Sequence, residues 1–573
     1  MATLEDILAR LEDLIGDGRY LEVRTEAATA LKQNDHIRLQ QLYALALSKS
    51  GAPEAARDYL EPIYHAHAED PETAGILGGI YKELFKKEQD TRHALLSRDT
   101  YLKNFGITKN YYTGINAAAM SAMVMQGGKS RELASQVAAT ISPGTEDFWE
   151  LATLGEACLL MKEKTKAIEY YLRARKTAGQ DWGKVISVYN QLWLLNHYLQ
   201  VPKDLQSIFS PPNVVAFVGH MVDHPARLTP RFPATIEGKV KEAIRGGIRS
   251  LNGSIGYCSL ACGGDILFAE AMEEAGGEVH VFLPFSKEDF IGTSLQFAGS
   301  TWVERFERLI QRFPVTWLSQ ERHGGMDDLF TLLGKTILGA AIIRANTYHD
   351  QPTLLTLQSE LDMKRKAGGT RDSIRLWPFP ERRLNINPDT LYTDQPETLR
   401  EPPATAPVAA TIANRPVLYM AFADLTSMPL QDRGRMVKKA EEQLGDVSTP
   451  SCDFEVTADT ILALFYGEAE AINFFERLWK DAAGKGGDTI KIALHAGPVY
   501  LDEEGKKRND NTEIELIKKI AEIIPAGSIC ASNHFAVLLA LRVNKFLLNY
   551  SGVLSRLPAG QDMVLYKVSV NQG

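Results

Sequence analysis

The sequence predicts a multidomain protein with an all-α helical-repeat region, then an α/β region with a parallel sheet, then an α+β region. Three observations support this order. Helical periodicity dominates up to about residue 205, strands and helices alternate from about residue 212, and a β-α-β-β-α-β succession follows a proline-rich stretch. The length of 573 residues also fits several domains of ~100–200 residues each.

Composition and charge exclude some classes of function. The net charge is −9, without a long basic block, so general binding to nucleic acid or anionic lipid is disfavoured. No apolar run approaches the ~20 residues of a membrane span, and the amino-terminal MATLEDILARLEDLIGDGRYLE is acidic and amphipathic rather than signal-like. Five scattered cysteines do not make a disulfide framework. We therefore expect a cytoplasmic protein that binds neither nucleic acid nor membranes.

Residues 1–205 have the pattern of paired helices. In LATLGEACLLMKEKTKAIEYYLRA, the small residues Gly155 and Ala167 allow two antiparallel helices to approach, and Tyr171 fills the space beside them. A weaker copy is LQQLYALALSKSGAPEAARDYLEPIY, with Ala44 and Gly51 at related positions. This spacing predicts a tetratricopeptide-like solenoid. Its concave surface would bind a protein partner, and the alternative is a structural spacer.

The same region resembles, in ETAGILGGIYKELF, YYTGINAAAM and EDFWELATLGEACLL, the TRAF-binding, tetratricopeptide-like region of apoptosis signal-regulating kinases and its bacterial relatives. The resemblance covers most of residues 20–200. No kinase domain follows in this sequence, so the resemblance implies only a scaffold role in signalling.

The α/β region, residues 206–385, contains two glycine-rich turns. NVVAFVGHM reads as a buried strand that ends in glycine, ACGGD lies between a later strand and a helix, and KAGGT precedes another helix. Ligands of parallel sheets bind at the carboxyl ends of the strands, and glycines there let a phosphate reach backbone N–H groups. The alternative for each turn is a tight turn without a ligand. The candidate residues are Gly219, Gly263, Gly264, Gly368, Gly369 and Thr370.

This region resembles the SLOG group of Rossmann-like nucleotide-binding domains in VAFVGHM, ACGGDILFAEAMEEAGGEVHVFLP and GGT. The SLOG group is related to cytokinin-activating phosphoribohydrolases and to sensor domains of bacterial defence systems. The resemblance covers about residues 212–380 and implies a nucleotide pocket lined by those glycines and Thr370. It also implies that Asp265 bonds a ribose hydroxyl and that Glu270 lies on the same helix. The alternatives are a helix N-cap for Asp265 and a solvated or salt-bridged Glu270. The phosphoribohydrolase pattern PGGxGT followed by a catalytic Glu is not reproduced, which argues against cleavage of a glycosidic bond.

Two polar residues follow the first strand of this region, in GHMVDHPARLTPRFP. Arg231 is a candidate bidentate phosphate ligand, and the alternative is a solvated loop arginine. His220 is a candidate base, and the alternative, which we favour, is a capped loop histidine.

Prolines accumulate before the last region. Residues 386–414, with EPPATAPVAATIA, are predicted to form a semi-extended linker.

Residues 415–573 contain RPVLYMAFADLTSM, a helix, the hairpin SCDFEVTADTILALFYGE, a second helix and the strand TIKIALHAGPVYLD. This succession resembles the catalytic core of class III nucleotide cyclases and implies a ferredoxin-like α+β fold. In that family two Asp residues bind two divalent ions, Mg²⁺ or Mn²⁺, which organise a purine nucleoside triphosphate. Asp424 matches the first and Asp459 the second. Glu455 matches the position that selects the base, where Glu favours guanine; the alternative is an exposed strand residue.

The same region departs from the cyclase pattern in its later helix. The family has an Asn and, four residues on, an Arg that stabilises the transition state, and here those positions hold Glu515 and Lys519. Lys lacks the bidentate fork of Arg, and a Glu repels the triphosphate. The resemblance therefore implies a degenerate site. It also implies a homodimer, because cyclase sites form between two such domains.

The leading hypothesis is a cytosolic nucleotide-binding signalling or sensor protein with a scaffold solenoid and a degenerate cyclase-homology domain. One alternative is an active purine nucleotide cyclase in which Lys519 substitutes for the missing Arg. A second is a SLOG-centred hydrolase that cuts a nucleotide or NAD N-glycosidic bond through Glu270. A third is an interaction scaffold with both nucleotide sites inactive.

Overall fold

The computed structural model describes residues 3–179, 181–225, 227, 230–319, 328–360, 370–392, 417–445, 452–483, 489–499, 511–555 and 562–570. The chain divides into two compact units. Unit 1 comprises Met1–Pro211 and Ser551–Val553, and unit 2 comprises Pro212–Tyr550 and Leu554–Gly573. None of the described helices combines the length and the apolar character needed to cross a membrane.

Unit 1 is helical up to Ile208. Several of its helices begin at an Asp whose carboxylate accepts a backbone N–H of the first turn, as Asp70, Asp90 and Asp147 do. Consecutive helices pack against each other in pairs. Within the described residues the helices are α1 Leu4–Gly16, α2 Tyr20–Leu31, α3 Ile37–Lys49, α4 Pro53–Ala66, α5 Pro71–Glu88, α6 Thr91–Thr108, α7 Tyr111–Met123, α8 Gly127–Ala138, α9 Phe148–Leu160, α10 Lys164–Ala178, α11 Trp182–Asn196 and α12 Lys203–Ile208.

Glycines beside large aromatic side chains set the distance between paired helices. A Cβ atom added at Gly155 on α9 would lie 2.6 Å from the ring of Tyr171 on α10. The same holds for Gly78 on α5, where the added Cβ would lie 2.6 Å from the ring of Tyr101 on α6. Both tyrosines are fully buried. The small-and-large pairing predicted from the sequence is therefore confirmed, and with it the tetratricopeptide-like solenoid.

Unit 2 contains two sheets, and the first is parallel as predicted. Its order is β4-β3-β2-β1-β5-β6, and each neighbouring pair is parallel. The strands are β1 Asn213–Gly219, β2 Gly253–Cys258, β3 Glu278–Leu283, β4 Val315–Trp317, β5 Thr353–Leu357 and β6 Arg383–Ile386. The helices between them are α13 Glu237–Leu251, α14 Gly264–Glu274, α15 Lys287–Ser294, α16 Ser300–Arg312, α17 Asp328–Asn346 and α18 Thr370–Leu376.

The second sheet is mixed, with the order β12-β13-β11-β10-β7-β9-β8. The predicted β-α-β-β-α-β succession corresponds to its elements β7 to β10. The sequence also indicated α21 and β11, whereas α22, β12 and β13 were not expected. The elements are β7 Val417–Asp424, α19 Leu430–Gly445, β8 Cys452–Val456, β9 Thr460–Phe465, α20 Glu468–Ala483, β10 Lys491–Pro498, α21 Thr512–Ile523, β11 Ser528–Ser532, α22 Asn533–Ala540, β12 Phe546–Leu554 and β13 Met563–Val570.

The beginning of the predicted linker belongs to the parallel sheet. Its first residue, Ile386, ends β6, and the following turn is fixed by a 2.8 Å hydrogen bond from the Ser359 hydroxyl to the Asp389 carboxylate. The ammonium of Lys239 donates to the carbonyl oxygen of Leu391 at 3.0 Å. Residues 386–392 are therefore packed structure rather than linker, and residues 393–416 lie outside the described residues.

Helix α17 joins the two sheets of unit 2. It contacts β1 and β2 of the parallel sheet and also α22 of the mixed sheet. At Gly339 the two helices are so close that an added Cβ would lie 2.2 Å from the carbonyl oxygen of Val537. Nearby, the ammonium of Lys335 lies 2.7 Å from the Glu468 carboxylate and 5.9 Å from the ring centre of Tyr419. The two sheets therefore share one continuous packing.

We predict that Gly339→Ala destabilises unit 2. The added methyl meets a backbone carbonyl that cannot rotate away, and overpacking of this kind costs ~1–3 kcal/mol or more. The control is Gly246→Ala on α13, where an added Cβ meets nothing within 4 Å and alanine favours the helix. Urea unfolding measures both variants. Equal stability of the two would show that the contact between α17 and α22 is not tight in solution.

Candidate functional site

Buried polar side chains follow the carboxyl ends of the parallel strands. Each member of this row is at most 7% exposed, and each comes one or two residues after the end of β1, β2, β4 or β5. Buried polar groups are uncommon, and this edge is where α/β sheets bind their ligands. The row comprises His220, Ser259, Ser319, Gln358 and Ser359.

The chain order reverses between β1 and β5, which places a crevice at their carboxyl ends. His220 bridges this crevice. Its backbone N–H donates to the carbonyl oxygen of Leu357 at 3.0 Å, and its ring Nε2 accepts the backbone N–H of Ser359 at 3.1 Å. His220 is therefore the bonded loop histidine of the alternative interpretation, because Nε2 is engaged inside the protein.

The turn of Gly263 and Gly264 packs against the loop after β1. The N–H of Gly264 donates to the carbonyl oxygen of His220, and the N–H of Val222 donates to that of Cys262, both at 3.0 Å. Gly263 has φ 109°, and an added Cβ would lie 2.5 Å from the nitrogen of Val222. The glycines thus allow two backbone segments to meet. In this arrangement the Gly264 N–H serves the protein, as in a tight turn without a ligand.

The other predicted cradle residues also lie beside the end of β1. The hydroxyl of Thr370 donates to the carbonyl oxygen of Gly219 at 3.2 Å. Gly368 and Gly369 lie outside the described residues. The backbone N–H of Arg231 donates to the Asp223 carboxylate at 2.8 Å, which fixes the loop that follows the strand.

Asp265 lies in the first turn of α14 rather than at its N-cap, which is Gly263. Its carboxylate accepts the backbone N–H of Ala261 at 3.3 Å. Burial disfavours the charged form and raises the pKa of Asp265 to about 7. Among the described residues, the buried hydroxyl of Ser259 has no hydrogen-bond partner. Asp265 and Ser259 are thus polar groups that this edge can offer to a ligand.

Glu270 belongs to an ion-pair network on the helices beside the sheet. Arg305 holds both of its oxygens, at 2.9 and 2.7 Å, and Arg308 and Lys241 lie at 3.2 and 3.6 Å. Burial by itself raises the pKa of Glu270, but these cations outweigh it and the pKa is lowered. The geometry is that of the salt-bridged alternative, because a carboxylate held in this way is a weak base.

The structure brings Asp424 and Asp459 together. Asp424 ends β7, Asp459 lies in the turn between β8 and β9, and the N–H of Leu425 donates to the carbonyl oxygen of Asp459 at 2.8 Å. The backbone segments that carry the two residues are therefore neighbours. What each carboxylate can do depends on the side chains that contact it.

Each of these carboxylates has a cationic partner from another element. The guanidinium of Arg433 on α19 lies 2.5 Å from Asp459, and the ammonium of Lys491 on β10 lies 3.5 Å from Asp424. Thr426 also donates to Asp424 from its N–H and its hydroxyl, at 2.9 and 2.6 Å. Burial by itself raises the pKa of Asp424, but Thr426 and Lys491 outweigh it and the pKa is lowered. Two carboxylates already balanced by two cations do not fit a pair of divalent ions.

The remaining cyclase-like positions are on exposed surfaces. Glu455 is exposed on β8, the edge strand of the mixed sheet. Glu515 and Lys519 lie on the exposed face of α21, and the Glu515 carboxylate is 3.6 Å from the ammonium of Lys518. Their assignment to base selection and to the transition state stays a prediction.

The solenoid has a groove whose polar residues the sequence did not indicate. It encloses about 570 Å³ between helices of unit 1. On its wall the Lys82 ammonium donates to Gln191 at 2.9 Å, and the Gln191 amide donates to Glu156 at 2.7 Å. Burial, and then the nearby Lys86, lowers the pKa of Lys82 to about 8. Because these side chains come from α5, α9 and α11, only the stacking of helices brings them together.

Comparisons with known proteins support the helical region. Residues 19–121 match the family model described as Tetratricopeptide Repeats-Sensor. No curated protein matches the chain. A solved tetratricopeptide protein of Thermus thermophilus is 16% identical and covers 33% of this chain and 98% of its own, with a TM-score of 0.28.

Two cyclase structures are also similar over part of the chain. The catalytic core of a rhodopsin-guanylyl cyclase is 14% identical and covers 28% of this chain and 98% of its own, with a TM-score of 0.22. A structure of Trypanosoma brucei adenylate cyclases in their monomeric state is 12% identical and covers 27% of this chain and 89% of its own, with a TM-score of 0.20.

We predict that Asp265→Asn stabilises the protein at pH 8 but not near pH 4. With a folded pKa of about 7 and an ordinary value of 3.8, the folded state holds one more proton between these values, so stability falls as the pH rises. Above pH 7 the full effect, at most ~4 kcal/mol, is present. Melting temperatures at both pH values test this. Exposed Asp58→Asn is the control, and an equal shift at both pH values would contradict the prediction.

Proposed function

We propose that this chain is a nucleotide-binding sensor protein in which the solenoid binds a protein partner and the cyclase-like part does not catalyse cyclisation. The observation that carries the proposal is the row of buried polar side chains at the carboxyl edge of the parallel sheet. Such a row lies where an α/β sheet binds a ligand, and polar groups are retained in a core where they are bonded or used.

The two groups that support nucleotide binding best are Ser259 of that row and Asp265 in the first turn of α14. The Ser259 hydroxyl has no partner among the described residues, and Asp265 has a pKa of about 7. A ribose offers hydroxyl groups that donate and accept hydrogen bonds, so it suits a hydroxyl and a carboxyl of this kind. The SLOG-like interpretation of the sequence assigned the ribose to the same Asp265.

The cyclase-like part supports a structural role for its two carboxylates. The strand order β10-β7-β9-β8 supports the proposal of a ferredoxin-like core and of descent from a cyclase-homology domain. The cyclase reaction needs divalent metal ions to neutralise the triphosphate. We propose that Arg433 and Lys491 replace those ions, so that Asp424 and Asp459 hold the hairpin in place and no metal binds.

Glycosidic hydrolysis is not part of the proposal. A general base must be free to take a proton, and both oxygens of Glu270 are held by Arg305.

The solenoid supports a scaffold role. Tetratricopeptide-type helix pairs present an extended concave surface, and the groove of this solenoid carries two large aromatic side chains, Trp149 and Tyr112, that are 47% and 50% exposed. Exposed aromatic residues are enriched at protein interfaces. We propose that the partner covers these two side chains.

Coupling between the two sheets would run through α17. This helix contacts β1 and β2 of the parallel sheet and α22 beside the mixed sheet. A ligand that moves the end of β1 would therefore shift α17 and, through it, α22, and the linker would take no part. A packed element shared by two sites is a physical basis for such coupling.

The test of the proposal is incubation of the full chain with ATP, GTP and NAD in Mg²⁺ and in Mn²⁺, followed by mass spectrometry and thermal unfolding. We expect at least one nucleotide to raise the melting temperature, because a ligand at a hundred times its Kd stabilises by ~2.7 kcal/mol. We also expect every nucleotide to return unchanged. A cyclic nucleotide that disappears in Asp424→Ala would identify a cyclase instead, and free base that disappears in Glu270→Gln would identify a hydrolase.

A second prediction concerns the site itself. Ser259→Ala should weaken nucleotide binding about 10-fold, the typical cost of one lost hydrogen bond of ~1–2 kcal/mol. The matched control is Ser254→Ala at the other end of the same strand, which should bind as the unchanged chain does. Titration calorimetry measures both variants, and equal loss in the two would place the nucleotide elsewhere.

A further inference from the structure

A cavity beside α18 contains a concentration of positive charge that no sequence motif indicated. It encloses about 420 Å³, within the ~300–1,000 Å³ typical of small-molecule sites. Its wall includes the side chains of Arg371 and Arg375 from α18 and of Arg383 from the start of β6. The lining residues within the described part of the chain include no carboxylate.

Two arginines beside the same sheet have their charge balanced. Arg245 contacts Glu242 on its own helix and Glu274 on α14, and Arg305 contacts Glu237 and Glu270 of two neighbouring helices. Around the cavity the only ion pair among the described residues is a 3.8 Å contact between Arg375 and Asp372. Arg371 is half-buried and Arg375 and Arg383 are exposed, and three guanidinium groups around one pocket make its potential positive. The charge is therefore unbalanced in a way that a bound anion would correct.

The cavity also has two buried neutral side chains with N–H groups. Trp377 is 5% exposed, and its indole Nε1 has no hydrogen-bond partner among the described residues. Gln358 is 2% exposed and lines the same cavity. An unpaired buried N–H costs ~1–3 kcal/mol, which a ligand rich in acceptor oxygens would remove. Both side chains belong to the wall, so the site does not depend on the arginines alone.

We propose that this cavity binds a phosphoryl group of a small molecule. Phosphoryl oxygens accept hydrogen bonds only, and the planar fork of arginine matches them in a bidentate way. Several arginines with neutral N–H donors suit a group with more than one negative charge, such as a diphosphate. Gln358 belongs to the strand-end row, so the cavity extends the site of the proposed function, but phosphoryl binding by itself does not require that function.

The experiment uses inorganic pyrophosphate as the probe, with titration calorimetry on the full chain at low salt. We expect saturable binding that weakens as salt is added, and at least 10-fold weaker binding in Arg371→Gln and in Arg383→Gln. The matched control is Arg382→Gln, because Arg382 is the neighbour of Arg383 in the chain but pairs with Asp350 at 3.6 Å and does not line the cavity. Trp377→Phe keeps the ring and removes the N–H, and should weaken binding about 5-fold.

Titrations with ADP and with adenosine identify the kind of molecule that carries the phosphoryl group. Tighter binding of ADP than of pyrophosphate, with none of adenosine, would indicate a nucleotide, and equal binding of ADP and pyrophosphate would indicate a free phosphate compound. Absence of saturable pyrophosphate binding would overturn the proposal, as would equal affinity in all the arginine variants. Unchanged circular dichroism confirms that each variant is folded. If the unchanged chain binds a nucleotide but not pyrophosphate, the proposal for this cavity is wrong, and the proposed function is not affected.

Discussion

The close packing of α17 against α22 is the contact on which the arrangement of unit 2 depends. A glycine at position 339 lets one helix backbone reach the carbonyl oxygen of Val537, and the ion pair of Lys335 with Glu468 lies beside it. Because α17 also contacts β1 and β2, the same helix supports both sheets. Packed side chains of this kind resist gradual deformation, which is the physical basis of the proposed coupling between the two sheets.

Several residues with a functional pattern are engaged inside the protein. Gly264 donates to His220, Asp459 is held by Arg433, and Glu270 is held by Arg305. For Gly264 and Glu270 the reason is burial, because a buried polar or charged group is stable when its hydrogen bonds and charge are met, whereas the Asp459 side chain is 49% exposed. The polar groups left over then carry the information about ligands. Among them are the hydroxyl of Ser259 and the indole N–H of Trp377 beside the arginine cavity.

In the solenoid, packing sets the spacing of the helices and hydrogen bonds join polar side chains in the groove. Its helix pairs are held by glycines that admit tyrosine rings, so the spacing of the helices is set by packing. On the wall of the groove, Lys82 donates to Gln191 and Gln191 donates to Glu156. The half-buried Lys82 has its pKa lowered to about 8 by desolvation and by Lys86, and Glu156 opposes this only in part.

The sequence by itself determined the local elements. The spacing of Gly155 and Tyr171 specified a helix pair, and the apolar run before Asp424 specified a strand that ends in a carboxylate. Both could be recognised because the periods of a helix (3.6 residues) and a strand (2 residues) appear among residues that are close in the chain. The tertiary structure decided which groups are paired. Asp424 meets Lys491, and Gln358 shares a cavity with Arg371 and Arg383, because strand order and helix packing bring together side chains that no local pattern relates.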